Sequence, residues 1–372
     1  MSAQRQASSA SQTPHLSPAE LSYLYTSLSL PNAPIRPDGR SATQFRPLAA
    51  ETDVLPGANG SARVGFADGT QAIVGVKAEV EKTVLGSETT AAAAAPAGDN
   101  DGGEGQAPGH GHGHGSWVQM SIEIPGFRDD DALPVFLAEM MREPLVESVS
   151  DGSGKGSDGG LKERLVINRR WHWRLYIDVL LLSQPLSYPL PLLSLTTHLA
   201  LLSTKLPKLK SQGEEDPFFD DDWNAAEYLY PRSATPLPKQ QQVRPPVTLL
   251  VIAVGENVIF DPNREEIAVA DTVLAVSVTR NDGADGLKLL SIRTVDPPSR
   301  LTQPGVPNAE NAATGGAAAG GGATESGDVP GVWRPRRGGV KRSTIARMAK
   351  LVLQRGGVGE EVLEGLEGVQ VG

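Results

Sequence analysis

The amino-acid sequence predicts an α+β fold made of two similar halves, with mixed sheets and helices packed on them. Three observations carry this. Val74, Val76, Ala78 and Val80 alternate with Gly75, Lys77, Glu79 and Glu81, and the alternation returns in Val118, Met120, Ile122 and Ile124; a period of two marks a half-buried strand. Elsewhere apolar residues recur at helical spacing behind cap-forming residues. The order hairpin, strand, helix then occurs twice, before residue 208 and after residue 244.

Ser17-Pro18-Ala19-Glu20 has the form of a capping box, and Leu21, Leu24, Tyr25 and Leu28 follow on one helical face, ending before Pro31. "IRPDGR", Ile35–Arg40, is a turn in which Pro37 presets φ and Gly39 tolerates a positive one. Ser61–Phe66 and Gln71–Lys82 flank "ADGT" as a hairpin. Residues 83–116 read as an enlarged loop between two neighbouring strands. Asp131 is placed to cap a helix with Leu133, Phe136, Leu137, Met140 and Met141 on its buried face. A strand over Leu175–Leu182 and a helix over Pro191–Ser203 complete the first half. The second half reads as a hairpin from Thr248 to Phe260, strands at Ile267–Thr279 and Leu287–Val295, and a basic helix from about Val340 to Gln354.

Four segments are too polar or too rich in Gly and Ala to offset chain entropy by burial and read as disordered inserts: Gly86–Ser116, Ser150–Gly160, roughly Lys210–Arg244, and Gln303–Val332. With 41 Gly and 29 Pro, much of the 372-residue chain lies outside a packed core. The organisation expected is a tail and short helix (1–34), a first half (35–207, inserts at 86–116 and 150–160), an acidic, proline-rich insert (208–244) and a second half (245–372, insert at 303–332).

The net charge of −10 confines any nucleic-acid contact to local patches of Lys and Arg. Having no cysteine, the chain has no disulfide, zinc thiolate or thiol nucleophile, which fits a reducing compartment. Its first residues lack the apolar stretch of a signal peptide, and the most apolar window, Leu175–Leu202, is interrupted by Pro185, Pro189 and Pro191. A soluble, intracellular protein without a membrane span is expected.

"IRPDGRSATQFRPL", "NGSARVGFADGTQAIVGV" and "VGENVIFDPNREE", together with "DDWNAAEYLYP" and "RPPVTLLVIAVGENVIFDP", occur in an order that resembles the RNase PH family of phosphorolytic 3′-exoribonuclease folds, and within it the ring subunits of the RNA exosome. The likeness spans most of Leu16–Glu147, Leu165–Pro207 and Asp220–Asp296. It implies two βαβα-type halves, a hetero-hexameric ring of RNase PH-like subunits with cap subunits, and RNA as the further partner, with no cofactor and no small-molecule substrate. It also implies a place in 3′-to-5′ RNA processing and decay, including rRNA maturation, in nucleus, nucleolus and cytoplasm.

Active members of that family hold phosphate with a Gly-Ser/Thr-Arg loop and a divalent cation with two nearby aspartates. Asp178 is placed like the first. The second position falls in "SQPLSYPL", where Gln184, Ser187 and Tyr188 offer neutral oxygens, and no Asp or Glu occurs from Val179 to Gly213. No Gly-Ser-Arg or Gly-Thr-Arg is found where the phosphate loop is expected. The resemblance therefore implies a non-catalytic ring subunit in which Asp178 is vestigial, capping a helix or pairing with an arginine such as Arg170. The alternative is an active phosphorolytic enzyme, or a chain that lends arginines to a neighbour's site. Arg128, Arg169, Arg170 and Arg174 are candidate RNA-backbone contacts because guanidinium forks match phosphate oxygens. Lys77 and Lys82, read as facing outward from one strand, join them, against the plainer reading of a solvated or ion-paired face.

Trp171 and Trp173 in "RRWHWR" are open to base stacking or to packing at an interface or core edge. His198 reads as a hydrogen-bonded core residue, and His110, His112 and His114 as able to bind a metal ion only adventitiously, because the glycines on both sides leave them without pre-orientation. "EEDPFFDDDW", residues 214–223, reads equally as a docking segment for a basic partner and as a solvated insert. Arg334–Arg355, with eight Lys or Arg and no acid, reads as a nuclear-import or RNA-facing patch on a helix whose Ile345, Met348, Leu351 and Val352 also form a packing face.

Overall fold

Ser17 caps the first helix, α1 (Pro18–Leu28), as the sequence leads one to expect: its hydroxyl accepts from Glu20 N while the Glu20 carboxylate accepts from Ser17 N. The computed structural model describes residues 16–31, 33–83, 113–146, 160–231, 244–280, 286–296, 305, 332–335 and 339–369. Of the inserts expected at 86–116, 150–160, 210–244 and 303–332, residues 86–112, 150–159, 232–243 and all of 303–331 but Gly305 lie outside these residues, His110 and His112 among them, whereas Gly115–Trp117 form a short 3-10 turn.

The first sheet is built from β1 (Leu48–Thr52), β2 (Gly60–Phe66), β3 (Gln71–Lys82), β4 (Val118–Glu123) and β5 (Trp171–Leu181), in the order β1-β2-β3-β5-β4. β5 runs antiparallel to β3 and parallel to β4. β3 and β4 are therefore not neighbours, contrary to expectation: β5 lies between them. Period-two alternation reports which face a strand buries and carries no information about its partner, so the sequence is silent on this pairing. Helices α2 (Ala132–Val146) and α3 (Leu161–Arg164) lie between β4 and β5 in the chain. Within α2, Leu137, Met140 and Met141 are buried as expected, whereas Phe136 is exposed. Asp131 does not cap this helix: its carboxylate turns back to accept from Arg128 N.

α4 (Leu190–Ser203) is buried on every side, the mark of a helix enclosed by other elements. Packed on β2 and β3, it also meets β8 (Val247–Val254) of the second sheet. Its polar groups are matched individually: Ser194 Oγ accepts from Thr248 N, Ser203 Oγ accepts from Ser61 N, and His198 Nδ1 lies 2.9 Å from the Pro245 carbonyl. That carbonyl only accepts, which fixes the proton on Nδ1 and makes His198 the hydrogen-bonded core residue expected. At Gly60 a side chain would sit 2.5 Å from Thr204, so only glycine lets β2 approach the end of α4.

The short strands β6 (Lys205–Leu206) and β7 (Glu227–Tyr228) pair with each other, and Leu209 bridges Phe219 in the segment between them. Residues 210–231, expected to be unfolded, are thus structured up to Pro231. Phe219 packs on Trp173 at 5.0 Å between ring centres, and Leu229 and Tyr230 are buried; these few anchors hold an otherwise polar stretch.

The second sheet, ordered β11-β10-β8-β9, adds β9 (Asn257–Phe260), β10 (Thr272–Arg280) and β11 (Leu287–Val295). The strand expected from Ile267 begins only at Thr272, because Asn263 and Glu266 form a second capping box that starts α5 (Arg264–Val269). α6 (Arg342–Val352) buries Met348 and Val352, and α7 (Val358–Glu367), unanticipated, follows it.

A buried ion cluster joins the halves. Arg36 donates to both Glu266 carboxylate oxygens, at 2.7 and 2.8 Å, and both side chains are fully buried. Asp261, also fully buried, accepts from Arg40 Nη1 at 2.8 Å and from Arg46 Nη2 at 2.7 Å. The sequence turn that begins the first half is thereby locked to the β9–α5 corner of the second. Removing one partner of a buried pair strands the other charge, which costs about 3–5 kcal/mol. Arg36→Met should lower unfolding stability by that amount in urea denaturation, and Arg36→Met/Glu266→Leu should recover part of it.

At the far end of β5 the His172 ring stacks on Trp117, 4.1 Å between centres and 15° from parallel, with Nδ1 2.9 Å from Thr83 Oγ1. Burial, the largest influence, lowers its pKa below the usual 6.5; Glu81 opposes the shift and Arg174 adds to it. Between its lowered folded pKa and the unfolded value near 6.5 the unfolded chain binds the extra proton, so this contribution to stability is complete above pH 6.5 and lost as pH falls. Melting temperatures taken from pH 7.5 to 5 should decline through that window, and His172→Phe, which keeps the stack without the titration, should flatten the decline.

Candidate functional site

Asp178 lies in mid-strand on the solvent face of β5 and is exposed. Its cross-strand neighbours are Gly75 on β3 and Ser121 on β4. In mid-strand it caps no helix. Arg170 lies eight residues away at the other end of the strand, roughly 26 Å along it, and pairs with Asp216 rather than Asp178. In "SQPLSYPL" the Gln184 side chain is exposed, Ser187 Oγ accepts from Arg46 Nη1 at 3.0 Å, and burial pushes the Tyr188 phenol up to about 12. Among the described residues no three His, Asp or Glu side chains converge as metal ligands. A hard divalent cation takes several anionic or carbonyl oxygens, and the one carboxylate at this position fits such an ion poorly.

The six basic candidates fall into three places. Arg128 follows β4, whose end lies beside Leu180, so it sits at the opposite end of β5 from Arg169 and Arg170. Its side chain is 81% exposed and pairs with Asp130 of its own loop at 3.0 Å. Lys77 and Arg174 share the open face of the β3–β5 pair: Lys77 is opposite Tyr176, Glu79 opposite Arg174 and Glu81 opposite His172. Arg174 donates to Glu81 at 2.9 Å and lies 5.6 Å from the Tyr176 ring centre. Lys82, five residues beyond Lys77, has the opposite parity and cannot share its face. The expectation that both point outward from one face is therefore corrected: Lys82 lies over the Trp171 ring at 5.1 Å.

Arg169, Arg170, Trp171 and Lys82 are gathered at the start of β5, where the segment carrying Glu214, Glu215 and Asp216 meets them. Arg169 N donates to Glu214 Oε2 at 3.2 Å, Trp171 Nε1 donates to Asp216 Oδ1 at 3.2 Å, and Arg170 Nη2 donates to the Glu214 carbonyl. The other indole, Trp173, faces the core against Phe219 and is buried. At the C-terminal end, Lys341, just before α6, and Arg342 and Lys350 within it are exposed, while Arg347 donates to Glu256 at 2.6 Å.

The segments holding Arg36, Arg40, Arg46, Asp261 and Glu266 carry the family resemblance, yet sequence reasoning gives those residues no role. Arg46 joins three loops: besides Asp261 and Ser187 it reaches Asp68, in the turn between β2 and β3, at 2.7 Å. Burial works against its charge, but the Asp261 hydrogen bonds and field hold its pKa above the usual arginine value. Asp261 takes φ of +46°, a region that costs a non-glycine residue about 1–2 kcal/mol, and its side chain is held there by two guanidinium groups. The signal present in the sequence is the pairing of "RPDGR" with "FDPNRE", basic residues in one half and acidic residues in the other.

No family model matches the chain. It is 31% identical over 268 residues to the exosome complex component RRP42 of Saccharomyces cerevisiae, covering 70% of this chain and 81% of that one. Its identity to the exosome complex component rrp42 of Schizosaccharomyces pombe is 30% over 279 residues, 71% of this chain and 78% of the relative. Among solved structures, a chain of the Archaeoglobus fulgidus exosome with RNA bound to the active site is similar at 22% identity over 74% of this chain and 86% of that chain, with a TM-score of 0.47. From its likeness to the two yeast sequences over most of their length, the chain belongs to the family of the exosome complex component RRP42.

Proposed function

We propose that this chain is a non-catalytic, structural subunit of an exosome core ring. It supports 3′-to-5′ RNA processing and decay by completing a hetero-hexamer of RNase PH-like subunits beneath cap subunits and by guiding RNA with local basic groups, in nucleus, nucleolus and cytoplasm. One observation carries the reading: Asp178 stands between Gly75 and Ser121, and the segment that would bring a second carboxylate has committed Ser187 to Arg46. Without a second anionic oxygen there is nothing to assemble a cation beside a scissile phosphodiester, and without a phosphate loop there is no seat for the nucleophile.

In the assembled ring, Asp178→Asn should leave phosphate-dependent RNA degradation unchanged within experimental error, whereas removing even an outer-shell partner of a working metal costs about 10–100-fold. The purified chain with magnesium or manganese and phosphate should release no nucleoside diphosphates. Their release, abolished by Asp178→Asn, would overturn the proposal in favour of an active enzyme.

The exposure of Arg128 favours a second, compatible reading in which the chain lends an arginine to a neighbouring subunit's RNA path. Arg128→Glu should then weaken RNA binding by the assembled ring by about tenfold or more, consistent with the roughly 1.5–3 kcal/mol of a hydrogen bond to a charged group. Unchanged binding, measured by fluorescence anisotropy, rules the lending role out.

A further inference from the structure

The pairing of Leu209 with Phe219 closes a hairpin whose acidic tip rests on the most basic end of the first sheet. Lys210 N donates to the Phe218 carbonyl at 2.8 Å, and Phe219, packed at a tilt against Trp173, fixes the base to the core. The tip turns at Gly213, φ +64°, with open space around it. From there Glu214 meets Arg169, Asp216 lies 3.6 Å from Arg170 and accepts from Trp171, and the Glu215 carbonyl accepts from Asn168 Nδ2 at 2.9 Å. Carboxylates thus sit opposite two guanidinium groups and an indole that has a lysine over its ring. Those are the groups that bind a phosphate backbone and stack a base in single-stranded nucleic acid.

We propose that residues 213–216 occupy, in cis, a site for the sugar-phosphate backbone of single-stranded RNA formed by Arg169, Arg170, Lys82 and Trp171, and that RNA binds there by displacing them. The inference rests on the reading above that these basic residues face RNA, and adds what controls their access. The tip is built to yield. Its side-chain ion pairs join groups that are 54–79% exposed, and exposed pairs hold weakly and are screened by salt. The base is held instead by the buried Trp173 contact, so the tip can lift while the hairpin stays attached. Geometry also separates this segment from the adjacent Asp220, which pairs with Lys210 on the hairpin itself.

The test is binding of a fluorescein-labelled single-stranded oligouridine to the ring assembled with the full-length chain, across a salt series. Glu214→Gln/Glu215→Gln/Asp216→Asn should tighten binding by about three- to tenfold and steepen the salt dependence by about 0.7 for each additional phosphate neutralised. Asp220→Asn/Asp221→Asn/Asp222→Asn, the same change in net charge a few residues on, should do much less. Adding Arg169→Glu/Arg170→Glu to the neutralised tip should abolish the tightening. Equal tightening by both neutralised triplets reduces the effect to net charge and overturns the proposal. If Arg169→Glu/Arg170→Glu weakens binding while neutralising the tip changes nothing, the tip is only structural and the RNA-facing reading survives. If Arg169→Glu/Arg170→Glu changes nothing in either background, that reading fails as well. A neutralised tip that acquires poly-glutamate binding and no tighter RNA binding overturns the proposal in favour of an acidic protein partner.

Discussion

The buried contact between Arg36 and Glu266 is the constraint on which the rest of the fold depends. Two charges removed from water are tolerated only when every donor and acceptor is matched. Arg36 meets that demand by directing its remaining N–H groups to the carbonyls of Ser41, Phe260 and Asp261. Glu266 meets it by accepting from Asn263 N with the same carboxylate that receives Arg36. One side chain therefore starts α5, orders the turn before β1 and fixes the distance between the halves. The apolar core beneath it, with α4 between the two sheets, supplies burial in quantity but little direction. Hydrophobic contact accepts many relative placements, whereas a bidentate fork accepts few.

Arg46 extends this cluster outward. From Asp261 it passes to Asp68 and then to Ser187, so the positions that define the halves also determine where the 183–189 segment lies. A chain that tethers this segment through Ser187 has little freedom to present an acid from it toward Asp178. The geometry that stabilises the interface and the geometry proposed to retire the active site are, in this sense, one arrangement.

Most of the fold class and much of the core are legible in the sequence, because burial writes itself as periodicity. Val74 and Val76 on β3, Leu137 and Met140 on α2, and Met348 and Val352 on α6 are buried where their spacing puts them. Partnership is not legible. Nothing in the alternation of β3 or β4 says that β5 inserts between them, and nothing in "IAVA" separates a short helix from a strand, although Asn263 and Glu266, three apart, are a readable cap. Residues 210–231 escape a reading by composition, which averages over a window, while the segment is held by a few apolar anchors such as Phe219, Leu229 and Tyr230. For the candidate site, residue types are legible and pairing is not. Each arginine is visible, but the carboxylate it meets, Glu214 for Arg169 or Asp130 for Arg128, is set by the path of the chain.

Loss of the catalytic pair, under the function proposed, demands little of this scaffold. β5 presents Leu175, Ile177, Val179 and Leu181 to the core from alternate positions, all of them buried, and Asp178 projects from the other face. Its strand neighbours are a glycine and a serine, neither of which needs the carboxylate for a hydrogen bond or a packing contact that the structure records. Substitution of Asp178 at this surface position removes no buried area and strands no charge. The residues that carry the family likeness, in "IRPDGR" and "FDPNREE", are the reverse case: Arg36, Arg40, Asp261 and Glu266 are each tied to a buried partner in the other half, and changing one leaves the others unmatched. A sequence can then keep the motifs by which its fold is identified long after the groups that performed chemistry on that fold have gone, because the two sets are held in place by different forces.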